Sequence, residues 1–313
     1  MQLFLQRLFD AMSNGAVYAA LAVALAIVYR SSSMLNFALG EMSMLATFGA
    51  LVLSSKKTRL LPGTTWATEK LHTPWSVWIV IPVVMTAAMV LGMIVERVVV
   101  RPAERRSATA VVSVTLGVGM LFNGMAAQQY GSRFYAFPTP FPKGPKARWK
   151  IGGALLRFES VGTVVVLVAV LGLLWLGQRQ TKVGLGFRAV ASNRSSAELA
   201  GIRVNQVLAL GWGTAGALGA LAGVLVSNST LVSSNMMTRL LVFALAAATV
   251  GGLESPAGAA LGGLFLALLE TMLGGYVPSI GGEFSLVAAI VVLLIVLVVR
   301  PNGLLGRATV GRL

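Results

Sequence analysis

The chain has 313 residues, of which 56% are hydrophobic and only 11% are charged, whereas an ordinary soluble domain is about 25% charged. A soluble fold of this length has too small an interior to bury so much apolar surface, so the composition predicts a protein that crosses a membrane several times. The chain contains no cysteine, one histidine (His72) and one aspartate (Asp10), which excludes disulfides and thiolate metal sites and leaves too few residues for a histidine metal cluster or a Ser-His-Asp triad.

The net charge is +15, and the Lys and Arg residues lie in short clusters between apolar segments. Clusters of this kind are typical of loops that face anionic lipid head groups. We therefore expect membrane lipid, and not nucleic acid, to be the partner of this charge.

Nine apolar segments are candidates for membrane helices, since about 20 apolar residues cross the hydrocarbon core. The first segment is too long for the apolar core of a signal peptide and lacks an A-x-A cleavage site, so we expect it to be retained. The seventh is short and is followed by Gly251, Gly252 and Pro256, which predicts a broken or re-entrant pair that could act as a gate and leaves the count at eight or nine. The candidate spans are 11–29, 38–54, 76–95, 109–128, 161–178, 206–228, 239–252, 257–275 and 284–299.

The connections between the spans are of two kinds, short and basic or longer and rich in Pro, Gly and aromatic residues. The positive-inside rule places the basic connections in the cytoplasm, and nine spans then put the N-terminus outside. No shift in composition divides the chain, so we expect residues 1–313 to form a single membrane domain, with His72 solvated in a loop. The basic connections are 96–108, 179–205 and the tail from Arg300, and the others are 55–75 and 129–160.

Small and polar residues recur inside the spans. Gly211, Ala215, Gly219 and Gly223 are spaced by four residues, and Gly258 and Gly262 repeat the spacing, which predicts ridges where neighbouring helices approach closely. Glu270 lies in the middle of a span, where a carboxylate costs about 3 kcal/mol, so it should either pair inside the bundle or serve the transport pathway. For Asn14 and Asn123 we expect hydrogen bonds between helices.

No motif for catalysis or nucleotide binding occurs in the chain. The sequence contains no G-x-x-x-x-G-K-[ST], no G-x-S-x-G and no H-E-x-x-H. We therefore expect neither an enzyme nor an ATP-binding protein, and no cofactor in this chain. Energy for active transport must come from an ion gradient or from partner subunits.

The basic connection 179–205 has a pattern of its own. Within residues 187–201, apolar side chains alternate with Arg188, Arg194 and Glu198, and Asn193 lies among serines that can cap helices. This pattern predicts two short helices separated near Asn193. A membrane protein that is driven by a separate ATPase needs such a short, ordered helix, because the helix must fit a cleft on the ATPase. The alternative is an ordinary basic connection that only fixes the topology.

Five short motifs are spread along the chain. They are the turn 36–41 (N-F-A-L-G-E), Glu96-Arg97 with Arg101-Pro102, the segment 184–202, the segment 251–263 (G-G-L-E-S-P-A-G-A followed by G-G) and 300–306 (R-P-N-G-L-L-G). These motifs resemble those of LivH-type permeases, the membrane subunits of branched-chain amino acid ABC importers. Each motif alone is weak, but all five occur in the family's order and cover the chain from about residue 12 to 307. Three positions depart from the family pattern: Leu39 replaces a histidine, Glu254 replaces a glycine, and Asn193 stands where an acidic residue is common.

The resemblance implies an all-α bundle like that of type II ABC importers, in the bacterial inner membrane. It also implies four kinds of partner: two ATPase subunits that bind ATP, an extracytoplasmic solute-binding protein, a LivM-type second permease and the surrounding lipid. The residues expected to couple to the ATPases are Gly184, Arg188, Ala189, Ala197, Glu198 and Gly201, and those expected in the pathway are Asn14, Tyr18, Asn36 and Glu41.

Two other functions are compatible with the sequence. A related ABC permease could carry urea, short amides, another amino acid or a sugar, because selectivity lies largely in the binding protein. A secondary transporter driven by H⁺ or Na⁺ would use the interrupted segment and Glu270, although the chain has no detectable internal repeat.

Overall fold

The structure is a computed structural model that describes residues 1–54, 75–131, 133–142, 144, 147–276, 284–300, 303 and 305. The expectation that His72 is solvated falls outside these residues, as does most of the tail after Arg300. Everything below refers to the described part of the chain.

The described residues form twelve α-helices, one π-helical turn and one antiparallel β-hairpin in which Arg148 pairs with Arg157. In chain order the elements are α1 (Gln2–Ser32), α2 (Leu39–Ser54), α3 (Val77–Val95), the π-helical turn (Glu96–Val100), α4 (Arg101–Glu104), α5 (Ala108–Tyr130), β1 (Arg148–Ile151), β2 (Ala154–Arg157), α6 (Phe158–Gln180), α7 (Lys182–Ser192), α8 (Arg194–Leu199), α9 (Val204–Val226), α10 (Met236–Gly251), α11 (Pro256–Tyr276) and α12 (Phe284–Val299).

Nine of these helices coincide with the nine predicted apolar segments. Six are long and apolar enough to cross a membrane, namely α1, α3 with its extension to Glu104, α5, α6, α9 and α11. The shorter apolar helices are α2, α10 and α12. At 1.5 Å per residue, the 16 residues of α10 span roughly 24 Å, so the short seventh segment is long enough to cross most of the hydrocarbon core.

Helix α1 lies at the centre of the bundle. Every residue from Ala16 to Val28 is at most 6% exposed, as expected of a helix that is apolar on all sides and surrounded by others. It packs most extensively along α11, and the fit is close because Gly15 faces Leu264 and Gly263 faces Ala19 without a side chain between them. Of the candidate membrane spans in the described chain, α1 is therefore the most deeply buried.

Helix α9 packs through the predicted ridge of small residues. Gly219 and Gly223 of this ridge face Ser43 and Thr47 of α2, so the spacing identified a real packing surface. Gly216, which was not part of the predicted ridge, makes a second close contact, because a Cβ atom there would lie 2.6 Å from the carbonyl oxygen of Ala88 in α3.

The helix ends lie on two opposite faces of the bundle. On one, the N-terminal face, Gln2 and Gln6 of α1 bind the β-hairpin, since Gln2 Nε2 donates to the Gly153 oxygen at 2.8 Å and Gln6 Oε1 accepts from the Leu155 N–H at 2.9 Å. On the other, which we call the coupling face, α7 lies beside the end of α1 and the turn between α10 and α11, and Arg194 of α8 pairs with Glu104 of α4. The basic connections 96–108 and 179–205 both lie on the coupling face. The orientation predicted from the positive-inside rule requires them to be on one side of the membrane, and they are.

The interruption between α10 and α11 lies at the coupling face and not at membrane depth. Gly252 turns the chain there with φ of 104°, a conformation that favours glycine, and the Leu305 N–H donates to the Gly251 oxygen at 3.2 Å. Helices α10 and α11 thus run as a full antiparallel pair, because the start of α10 and the end of α11 meet again at the N-terminal face.

The segment that does begin inside the bundle is α2. Its first residue, Leu39, lies beside Gly219, which is the sixteenth residue of α9 and therefore roughly 22 Å along that helix. Within the turn 33–38 that precedes α2, Asn36 and Ala38 are buried, whereas Ser33 is exposed in a cavity on the coupling face. An irregular backbone is tolerated at this depth only when protein or a cavity satisfies its polar groups.

Replacing Gly216 by Val tests the close packing of α3 on α9. The added side chain collides with the backbone of Ala88, so we expect a loss of at least 1–3 kcal/mol of stability, read as a lower melting temperature of the detergent-solubilised protein. Gly172→Val on α6 is the matched control, since a Cβ there meets nothing within 4 Å. Equal melting temperatures for the two variants would contradict the packing described here.

Candidate functional site

The connection on the coupling face forms two short helices, as predicted. The Thr181 hydroxyl accepts from the Gly184 N–H at 3.1 Å and starts α7, and Asn193 Oδ1 accepts from the Ser196 N–H at 2.9 Å and starts α8. Asparagine caps a helix about as well as aspartate. The departure at Asn193 therefore keeps the structural role of the position and removes only its charge.

Two contacts fix α7 against the end of α6. Gly184 lies directly on the backbone of Gln178, at a distance that leaves no room for a Cβ atom. The Arg188 guanidinium donates to the Gln178 oxygen at 2.6 Å, where a helix C-terminus presents unpaired carbonyls and a partial negative charge. Gly184 and Arg188 thus anchor α7 to the membrane helix before it.

The inner sides of α7 and α8 pack on α9. Val190 and Ala197 are buried in a small cluster with Val204, Val207 and Leu208. Ala189 is half-buried against the same cluster. Of the six residues expected to contact an ATPase, Gly184, Ala189 and Ala197 therefore face inward and support the two helices.

Gly201 closes α8. Its φ is 81°, and the bonds from Ile202 N–H to the Ala197 oxygen (3.0 Å) and from Gly201 N–H to the Glu198 oxygen (2.9 Å) form a Schellman motif. A side chain at Gly201 would have open space but a strained backbone. Glycine is required at this position for the turn and not for close packing.

The outward side of α7 and α8 carries apolar side chains that are exposed. Leu199 is 91% exposed, and Leu185 and Val183 are also exposed, with Glu198 beside them. Exposed apolar side chains outside the hydrocarbon core indicate a surface that another protein covers. Val183 and Leu185 were not predicted as site residues, although their position beside Gly184 was a signal.

A second group of residues on the coupling face was not predicted as functional. Glu96 starts the π-helical turn, has a side chain only 2% exposed, and pairs with Arg101 through bonds of 3.1 and 2.7 Å. Arg101 also donates to the Asn205 oxygen at 3.0 Å, and Glu104 pairs with Arg194 of α8. The E-R-x-x-x-R-P motif thus ties α3 and α4 to the residues around α8.

A cavity of about 380 Å³ on the coupling face joins two of the predicted elements. Arg188 of α7 lines it together with Glu254 and Pro256 from the turn between α10 and α11. The remaining lining comes mainly from the ends of α1 and α6. The predicted coupling residues and the predicted gating break (Gly251, Gly252, Pro256) therefore lie side by side.

The N-terminal face holds a second cavity, of about 450 Å³, around Glu270. The Tyr18 hydroxyl donates to Glu270 Oε2 at 2.7 Å, and Arg239 pairs with Oε1 at 3.0 Å. Tyr18 also stacks on Phe243, with ring centroids 5.1 Å apart, and Asn14 lies exposed on the cavity wall. Glu270 is thus paired inside the bundle, which was one of its two expected roles.

The turn 36–41 places its polar residues differently. Asn36 is 1% exposed, and its Oδ1 accepts from the Ala38 N–H at 3.0 Å, so its amide holds the turn. Leu39 is fully buried against α9, which explains how the position accepts leucine in place of histidine. Glu41 lies half-buried and accepts from Asn123 Nδ2 at 3.1 Å.

The four residues expected in the pathway therefore lie in three surroundings. Asn14 and Tyr18 belong to the cavity at the N-terminal face, Asn36 is buried in its own turn, and Glu41 meets α5. Asn123 donates to both Glu41 and the Ser234 oxygen, so it forms the predicted hydrogen bonds between segments.

Comparison with known proteins gives a consistent result along the chain. A family profile described as "Branched-chain amino acid transport system / permease component" matches residues 7–299. The high-affinity branched-chain amino acid transport system permease protein LivH of Escherichia coli K12 is 28% identical, over 98% of this chain and 97% of LivH. The permease protein BraD of Pseudomonas aeruginosa, described in the same words, is also 28% identical over 98% and 97%. Among solved structures, PsaBC from Streptococcus pneumoniae in complex with Fab has a TM-score of 0.46 and 17% identity, over 96% of this chain and 92% of that chain.

The pair Glu96–Arg101 can be tested by its stability. Arg101→Ala leaves a buried carboxylate without its partner, which costs about 3–5 kcal/mol for a fully buried pair and somewhat less here, because the Arg101 side chain is 21% exposed. Adding Glu96→Gln removes the charge, so the double variant should melt at a higher temperature than Arg101→Ala alone.

The exposed Arg105 provides the control, since Arg105→Ala should leave the melting temperature unchanged. A double variant no more stable than Arg101→Ala would mean that the ion pair does not determine the stability of this segment.

Proposed function

Because this chain belongs to the family of branched-chain amino acid transport system permease components, we propose that it forms the translocation pathway for branched-chain amino acids in an ABC importer. It is a multi-pass protein of the inner membrane. The relatives LivH and BraD, each matched over 98% of this chain, support the amino acid as the solute.

The proposed mechanism is based on the exposed apolar side chains on the outward side of α7 and α8, on the coupling face. Leu199, Leu185 and Val183 are exposed there, whereas the inward sides of the same helices are anchored to α6 and α9. One of the two ATPase subunits docks on this surface, with Arg188 and Glu198 beside the contact, and the two ATPases bind the ATP that this chain has no motif to bind. Their closing moves α7 and α8 together.

The movement reaches the membrane helices through two routes. One is the cavity shared by Arg188, Glu254 and Pro256, through which α7 acts on the turn between α10 and α11. The other is the pair Glu104–Arg194 and the bond from Arg101 to Asn205, through which α8 acts on α3 and α5. The coupling face is then cytoplasmic, in agreement with its basic residues.

The other partners follow from the two-sided architecture. A solute-binding protein delivers the amino acid to the N-terminal face, where the cavity around Arg239 and Glu270 opens. A LivM-type permease supplies the other half of the pathway, and lipid surrounds the uniformly apolar outer sides of helices such as α6.

The rival function, a secondary transporter driven by H⁺ or Na⁺, is less well supported. Its best candidate for ion binding was Glu270, and both oxygens of that carboxylate are held by Tyr18 and Arg239. An ABC permease for urea, short amides, another amino acid or a sugar would differ largely in its binding protein, and the same experiment decides between these solutes.

Uptake of radiolabelled leucine, isoleucine and valine by cells that express the chain with its partner subunits tests the function. We expect vanadate to block uptake and an uncoupler to leave it largely intact, and we expect an ABC ATPase to co-purify with the tagged chain. Uptake that is abolished by the uncoupler and insensitive to vanadate would establish the secondary transporter instead. Competition by unlabelled urea or sugars, without competition by leucine, would assign another solute.

The coupling assignment predicts the behaviour of Arg188→Glu combined with Gly201→Leu. The charge reversal breaks the bond to the end of α6, and leucine strains the turn after α8. We expect normal membrane insertion, loss of at least 90% of substrate-stimulated ATPase activity and weaker co-purification of the ATPase.

Arg133→Glu is the control, because it makes the same change of charge at an exposed residue of the connection that follows α5 on the N-terminal face. It should retain the ATPase. Substrate-stimulated ATPase activity at the wild-type level in the double variant would count against docking on α7 and α8.

A further inference from the structure

One line of exposed residues on α5 differs from the exposed side of α6, although the exposed positions beside that line, Val112, Leu116, Leu121 and Met125, are large and apolar. On α6, the exposed side chains are large and apolar, as expected of a surface in contact with lipid; they include Val165, Val168, Leu173 and Leu176. On α5, one exposed line along the helix, which we call the α5 stripe, is polar or small at most positions. Its residues are Ser113, Gly117, Met120, Gly124 and Gln128.

Glu41 lies at the edge of the α5 stripe. A Cβ atom at Gly119 would lie 3.6 Å from Glu41 Cγ, and Asn123, the residue before Gly124, donates to Glu41 Oε2. Glu41 is half-buried, and within the described chain its Oε1 accepts no hydrogen bond. One oxygen of the carboxylate is therefore fixed, and the other is available on the surface.

The depth of this carboxylate excludes contact with lipid. Asn123 lies seven residues before the end of α5, which is roughly 10 Å along the helix axis, so Glu41 is well inside the hydrocarbon region. An ionised carboxylate facing lipid costs about 3 kcal/mol or more, and such residues face water-filled cavities or other protein. Among the residues that the structure describes, nothing lies within 4 Å of a Cβ atom added at Gly117 or Gly124, so the α5 stripe has room beside it.

We infer that the α5 stripe lines the water-filled pathway and that Glu41 Oε1 accepts the ammonium group of the amino acid in transit. This inference rests on the proposed function and adds the chemical group that the chain recognises. The binding partner is a primary ammonium, because Glu41 is the only charged residue along the described α5 stripe and its immediate neighbours. Met120 gives the aliphatic side chain of the amino acid an apolar surface next to it.

A site of this kind binds the solute weakly, as transport through a pathway requires. A single charge-assisted hydrogen bond orients the ammonium group, whereas a pathway must bind weakly enough for the solute to leave. Asn123 keeps the carboxylate in place between passages through its bond to Oε2 and its second bond to the Ser234 oxygen.

The absence of cysteine from the chain allows a direct test with single introduced cysteines. Gly124→Cys places a thiol on the α5 stripe, and Gly172→Cys places one on the apolar side of α6, both at positions where a Cβ meets nothing. The assembled importer is treated with two methanethiosulfonates, one carrying a trimethylammonium group and the other a sulfonate. Each rate is divided by the rate of the same reagent with free cysteine.

We expect the cysteine at position 124 to react at least tenfold faster than the one at position 172, because only the α5 stripe meets water. At position 124 the cationic reagent should be favoured over the anionic one by about fivefold, and Glu41→Gln should abolish that preference. In the chain with its native Gly124, Glu41→Gln should lower the maximal rate of leucine uptake at least fivefold, with less effect on the KM and on membrane abundance.

Equal reactivity at positions 124 and 172 would overturn the pathway assignment, even if vanadate-sensitive uptake still supported the importer. A preference for the cation that survives Glu41→Gln, or an unchanged uptake rate in that variant, would overturn the role of Glu41. Met120→Cys, at a side chain that is 77% exposed, repeats the labelling if Gly124→Cys does not assemble.

Discussion

Close approach of helix backbones is the constraint on which this fold depends. Gly216 meets a carbonyl of α3, and Gly263 meets the backbone of α1, so the interhelical distances are set by the absence of side chains. In a membrane, burial of apolar surface gives little advantage of one helix neighbour over another, and close packing of small residues supplies the specificity. These contacts join α9 to α3 and α11 to α1, and α1 also packs on α9, so the remaining helices and both faces are positioned around α1, α9 and α11.

The same packing explains how a movement at one face can reach the other. The turn between α10 and α11 lies beside α7 on the coupling face, while the far ends of both helices carry Arg239 and Glu270 on the N-terminal face. Helices α10 and α11 are joined by a turn at the coupling face and by the Arg239–Glu270 pair near the N-terminal face. Because helices are rigid, a displacement of the turn also moves the opposite ends of both helices. Under the proposed function, the α10–α11 pair thus connects the ATPase surface to the side where the binding protein docks.

The sequence predicted the elements of the fold better than the arrangement of its polar residues. The nine apolar segments, the ridge on α9 and the two helices around Asn193 depend on local patterns of hydrophobicity and capping, which are visible along the chain. The partners of Tyr18, Glu41 and Glu96 depend on which helices become neighbours, and no local pattern contains that information. Asn36 illustrates the difference, because a polar residue at the edge of a span can either line a pathway or hold its own turn.

The central position of α1 has a consequence for how the protein is made. Among the described helices it is synthesised first, and its main neighbour, α11, follows more than 200 residues later. In the meantime α1 can pack on α6, α9 and α10, which it also contacts and which are synthesised before α11, and its run from Ala16 to Val28, apolar except for Tyr18, is stable in the lipid bilayer. The central helix of the described bundle therefore enters the membrane before the helices that pack around it.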